Sequence, residues 1–109
     1  MIYYHITERD NLPSILSSGL HPKVSPSYEH EGVRAVFLTR RKPSDPSRPE
    51  DILHWEDLLD PVILVIELPQ HFQIESDEAG EDIYPEMEPV YVTKHIPSRY
   101  IRRVLEVPR

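Results

Sequence analysis

His5 and Thr7 are the first residues in this chain whose types and spacing suggest chemistry. They lie two apart, so in an extended strand both side chains emerge on one face. A neutral imidazole can donate and accept hydrogen bonds with ligand hydroxyls, and a threonine hydroxyl can support it. The plain alternative is a core histidine satisfied by a backbone carbonyl. Glu86 and Glu88 repeat the same spacing ahead of Val90-Tyr91-Val92. They also belong to an acidic segment, Glu75 to Glu88, that holds seven carboxylates, so a solvated loop is their plain alternative. Arginine suits bidentate contact with phosphate. Arg34, Arg40, Arg41 and Arg48 bracket the run Ala35–Thr39, and Arg34 is the strongest phosphate candidate. Tyr28, Phe37 and Tyr84 are candidates for stacking on a flat ring. Tyr3, Tyr4 and Tyr91 are expected to pack against or flank strands.

Metal binding is not expected. The six histidines show neither H-x-H nor H-E-x-x-H spacing. Glu50, His54 and Asp57 would share a helix face, which reads as an exposed polar face. There is no glycine-rich phosphate loop and no G-x-S-x-G elbow.

The elements that must position these residues follow from pattern. Met1 to Ile6 is rich in β-branched and aromatic residues and suits a buried strand. Asp10 or Asn11 can cap a short helix, with Pro13 in its first turn, where a missing N–H is tolerated. Leu12, Ile15 and Leu16 make its apolar face. Gly19 supplies a left-handed stop and Pro22 forbids resumption. Lys23 to Gly32 reads as an exposed loop, Ala35–Thr39 as a buried strand, and Arg40 to Arg48 as a basic loop. Ser47-Arg48-Pro49-Glu50 matches a capping box opening a second helix, which Asp60-Pro61 closes.

Val62–Leu68 is the strongest strand, and its β-branched run predicts burial on both faces. His71–Ile74 predicts a further short strand, and Glu75–Glu88 a surface loop. Val90–Thr93 alternates as a strand. Ile101–Val107 reads as a last strand at a sheet edge, with Arg102, Arg103 and Glu106 solvated. The sum is an α+β domain with a mostly antiparallel sheet and two short helices.

Composition narrows the classes. At 109 residues the chain is read as one domain, residues 1–109. A formal charge of −7 argues against a general nucleic-acid or membrane surface. With no cysteine there is no disulfide framework and no thiolate chemistry. No apolar run approaches the roughly 18 residues of a membrane span. The start lacks a basic region followed by an apolar one, so no signal peptide is expected, and the cytoplasm is the expected compartment.

The order of residues at the start also carries a family resemblance. His5-Ile6-Thr7, then Asn11-Leu12 with Ile15, then Gly19-Leu20 resembles the opening of the ADP-ribosyltransferase-like fold. It is similar to the openings of poly-ADP-ribose polymerases, RNA 2′-phosphotransferases and DNA-targeting ADP-ribosyltransferase toxins. The resemblance is clearest over residues 3–22, with weaker echoes at Arg34–Thr39, Val62–Leu68 and Val90–Val104. It implies a split, curved, mostly antiparallel sheet. It also implies NAD as the substrate and a macromolecular acceptor, protein or nucleic acid, with no membrane partner.

By position, His5 would hydrogen-bond NAD, with Thr7, Tyr28, Arg34 and Phe37 as further NAD-binding residues. Glu88 would be the catalytic carboxylate beside His5, with Glu86 as its alternate if the register shifts. Family members run from that glutamate straight into the strand, whereas here Pro89 intervenes. A non-catalytic binding module on the same fold is the alternative. An RNA 2′-phosphotransferase is the third reading; Val36 and Leu38 stand where those enzymes carry histidines.

Overall fold

A computed structural model describes residues 1–24, 34–43, 59–83 and 85–107. Seven strands and two α-helices occur among them: β1 (Ile2–Glu8), α1 (Leu12–Ser18), β2 (Lys23–Val24), β3 (Arg34–Thr39), β4 (Pro61–Glu67), β5 (Glu75–Ser76), α2 (Glu78–Ile83), β6 (Pro89–Val92) and β7 (Ile101–Glu106). The strands lie in the order β5-β6-β3-β1-β4-β7, and β2 pairs with β3. Every pairing among the described residues is antiparallel. The α+β class and mostly antiparallel sheet follow the expectation. No helix among the described residues is long and apolar enough to cross a membrane.

β1 and β4 form the central ladder, in register from Ile2↔Glu67 to Glu8↔Pro61. Tyr3 pairs with Ile66 and His5 with Leu64, so these side chains share a face. Over that face α1 lays Ile15, and Leu20, Leu38, Val90, Val92 and Ile96 complete the core. Val62, Ile63, Leu64 and Ile66 are all buried, so β4 is covered on both sides, as its unbroken apolar run predicts. β7 ends the strand order and exposes Arg102, Arg103 and Val104. Its charges suit an unpaired edge.

Contact between β1 and β3 is much shorter. They share the single register pair Tyr4↔Thr39, while β3 pairs with β6 from Val36 to Thr39. The two halves of the sheet are thus joined at one rung and splay apart from it.

Several local expectations are corrected. His71–Ile74 is not a strand: it enters a turn in which the Phe72 N–H donates to the Pro69 carbonyl at 3.1 Å. The acidic segment is not simply a loop, since it carries β5, α2 and a 3-10 turn at Pro85–Met87. Asp77 explains this: its Oδ1 accepts the Gly80 N–H at 2.9 Å, an N-cap bond that starts α2. The loop expected from Lys23 begins instead with β2.

Asn11 does not cap α1 through its side chain. It is already helical, at the end of a 3-10 turn, Arg9–Asn11, that runs into α1. Gly19 ends α1 at φ 86 and ψ −167. Its φ is left-handed, but its ψ is extended rather than helical, a region that side chains essentially exclude. The helix predicted after Glu50 lies outside the described residues, and among the described residues the second α-helix is α2.

Candidate functional site

A cavity of about 450 Å³ occupies the fork between β1 and β3. Its walls include four consecutive residues of β1, Tyr4–Thr7, and five of β3, Ala35–Thr39. Successive strand residues point to opposite faces. A cavity meeting all of them therefore lies along the strand edges, where the sheet has parted, and not over one face. Asn11, Ser14, Ile15 and the Gly19–His21 turn add the α1 side, Lys23 and Val24 come from β2, and Asp77 and Pro89 add the far end.

His5, Thr7 and Phe37 are brought together in this wall. The His5 ring is half-buried, and its Nδ1 lies 2.8 Å from the Phe37 carbonyl oxygen. A carbonyl only accepts, so Nδ1 carries the proton and donates, which leaves Nε2 as the ring's acceptor. Burial pushes the imidazole below its ordinary value; the Phe37 bond opposes this, and the nearby Lys23 charge adds to it. The ring is thus a neutral hydrogen-bonding group at pH 7.

Thr7 is buried, and its Oγ1 accepts a hydrogen bond from Asn11 Nδ2 at 3.1 Å. Its own O–H proton is what it offers a ligand. The ring of Phe37 also packs on Tyr91, centroids 5.8 Å apart and tilted 52°. His5 shows both behaviours weighed from sequence, since it bonds a backbone carbonyl and also faces a cavity.

The other predicted residues are placed elsewhere. Arg34 is exposed at the start of β3, opposite Val24, and does not line the cavity. Lys23, one residue from that rung, does. Glu88 is exposed, with φ 49, and its carboxylate takes the Arg41 Nε–H at 3.1 Å outside the cavity wall. Pro89, the next residue, is in the wall. Glu86 is exposed in the Pro85–Met87 turn and also outside it. Tyr28 and Tyr84 lie outside the described residues.

Sequence reasoning missed six polar wall residues: Asn11, Ser14, His21, Lys23, Thr39 and Asp77. In sequence Asn11 reads as a helix cap. His21 stacks on His95, ring centroids 4.3 Å apart, at the end of the α1 turn; nothing local marks it. Asp77 had a legible signal, a cap residue followed by Glu78 and Glu81 in a first helical turn, which Gly80 and Pro85 obscured. Among the described residues no cluster of three or more histidine, aspartate or glutamate side chains could hold a metal ion.

No family model matches the chain, and no curated protein matches it.

Proposed function

We propose that the fork cavity binds NAD and that the protein transfers ADP-ribose from it to a macromolecular acceptor or to water. The observation that carries this reading is the meeting of His5, Thr7 and Phe37 in one wall of a cavity of about 450 Å³. That size suits a small organic ligand, for which about 300–1,000 Å³ is usual. The wall offers what a nucleotide needs. The His5 Nε2 and the Thr7 hydroxyl suit ribose hydroxyls, and Phe37 suits a flat heteroaromatic ring. Lys23 suits a pyrophosphate charge. The parting of β1 from β3 also agrees with the split sheet that the resemblance implies.

A second reading, a binding module without catalysis, is favoured by one observation. Glu88, the acid expected from sequence, is paired with Arg41 outside the wall, and Glu86 is outside it too.

Calorimetric titration with NAD tests the shared premise. The wild type is expected to bind in the micromolar to millimolar range. His5→Ala is expected to weaken binding by about 1–2 kcal/mol, the scale of a lost ligand hydrogen bond. Absence of both heat and NMR shifts at millimolar NAD overturns the reading.

A further inference from the structure

Breaking the bond between nicotinamide and ribose spreads positive charge over C1′ and the ribose ring oxygen. A preorganised carboxylate facing that charge lowers the barrier, and more so in a walled cavity than in water. Among the described residues lining the cavity, Asp77 is the one carboxylic acid. We propose that Asp77, in place of Glu88 or Glu86, is the catalytic carboxylate that faces the ribosyl cation. This inference rests on the reading of the cavity as an NAD site.

Three observations place it. Asp77 is 2% exposed, while Glu88 has a half-exposed side chain tied to Arg41. Surface caps and surface ion pairs do not require such burial. Second, Asp77 is fixed. Its Oδ1 holds the Gly80 N–H, and its own N–H donates to the Pro89 carbonyl at 3.2 Å. Gly80 leaves room for the group, since a Cβ there would stand 2.6 Å from Asp77 Oδ2.

Third, the sheet links Asp77 to the residue beside the histidine. Tyr4 pairs with Thr39, and Thr39 pairs with Pro89, the residue to which Asp77 is bonded. Two strand spacings, about 10 Å, separate the backbones of β1 and β6 on that rung. His5, the neighbour of Tyr4, and Asp77, bonded to Pro89, both line the cavity that spans this rung. A ribose bound there would meet both the imidazole and the carboxylate.

With water as acceptor the step balances simply. The C1′–N bond breaks, and its electron pair leaves on nicotinamide, which becomes neutral. A water oxygen bonds to C1′ and releases one proton to solvent. Asp77 forms no covalent bond; it opposes the transient charge.

The competing explanation is that Asp77 only caps α2. Asparagine and serine cap about as well as aspartate but carry no charge, so Asp77→Asn and Asp77→Ser separate the two roles. The experiment measures nicotinamide release, NAD affinity by calorimetry, and thermal stability for wild type, both variants, and Glu88→Gln. The expected result is a loss in kcat of about 100-fold or more in both Asp77 variants, the scale of losing one preorganised electrostatic group. KM, NAD affinity and melting temperature should stay near wild type, and Glu88→Gln should retain turnover. Wild-type turnover that survives in either Asp77 variant overturns the assignment and leaves the NAD reading intact. So does loss of turnover in Glu88→Gln alone. NAD binding without nicotinamide release by the wild type overturns it in favour of the binding module. Absence of NAD binding overturns both.

Discussion

At the scale of single residues, His5 is where structure and solution conditions couple most directly. Its imidazole titrates below the ordinary histidine value because burial disfavours the cation. The unfolded chain therefore takes up a proton at a higher pH than the folded one. The sign follows from linkage. Above the unfolded value of about 6.5 both states are neutral and His5 costs nothing. As pH falls through that value the unfolded state gains the proton first, and stability drops until the folded ring also protonates. Urea unfolding at pH 7.5 and 5.5 should show this fall, and His5→Gln should flatten part of it. A variant with the same pH slope as wild type contradicts the assignment. Lys23 opposes the same protonation through its charge, so Lys23→Gln should raise the His5 titration midpoint seen by NMR.

Among the elements, the α1 terminus sets one wall of the cavity, and Gly19 is its hinge point. The Gly19 N–H closes α1 on the Ile15 carbonyl at 2.7 Å, and the next residue, Leu20, bridges to Ile96. At φ 86 and ψ −167 a side chain is strained, at roughly 1–3 kcal/mol. Space is also missing, since a Cβ would fall 2.2 Å from the Ile96 carbonyl oxygen. Gly19→Ala should lower the melting temperature by more than about 5 °C, on a scale where 1 kcal/mol is roughly 4–8 °C for such a domain. It should also weaken ligand binding, because Gly19, Leu20 and His21 are all wall residues. A thermal melt that leaves Gly19→Ala level with wild type would show that the turn can relax freely.

For the whole molecule, the longest ladders join β1, β4 and β7, and the cavity lies where that half meets β3. Arg9 ties the half together at its end: it bonds Asp60, just before β4, at 2.8 Å, and also Glu106, the last residue of β7. Those bonds hold the Glu106 carboxyl below its usual range and the guanidinium above its own. All three groups are exposed enough for salt to screen them. Burial supplies the larger share. Leu64, fully buried between its neighbours on β1 and β7, should cost about 2–5 kcal/mol on truncation to alanine. That is a large part of the roughly 5–15 kcal/mol of a typical domain. Denaturant titration of Leu64→Ala checks it; a loss under about 1 kcal/mol would place the core elsewhere.

Local chemistry decided the features that the sequence by itself determined. The β-branched run Val62–Leu68 could bury both faces only as an inner strand, and it is one. The two-residue spacing of His5 and Thr7 fixed their common face, because strand alternation depends on neighbours along the chain alone. Pro13 and Gly19 marked the start and end of α1 through their own backbone limits.

Tertiary structure decided which of the polar residues share a space. Arg34 and Lys23 look alike in sequence, yet only Lys23 meets the cavity. Seven carboxylates between Glu75 and Glu88 have similar local surroundings. Asp77 alone among the described ones is drawn into the wall, because β5 pairs with β6 at the edge of the sheet and seats it beside Pro89. β6 is in turn held by β3, Arg34–Thr39, which lies far from the acidic segment in sequence. The fork has the same origin: β1 joins β4 along its length and β3 at one rung, a difference that no window of the chain contains, because it arises from the competition of three distant strands for their neighbours.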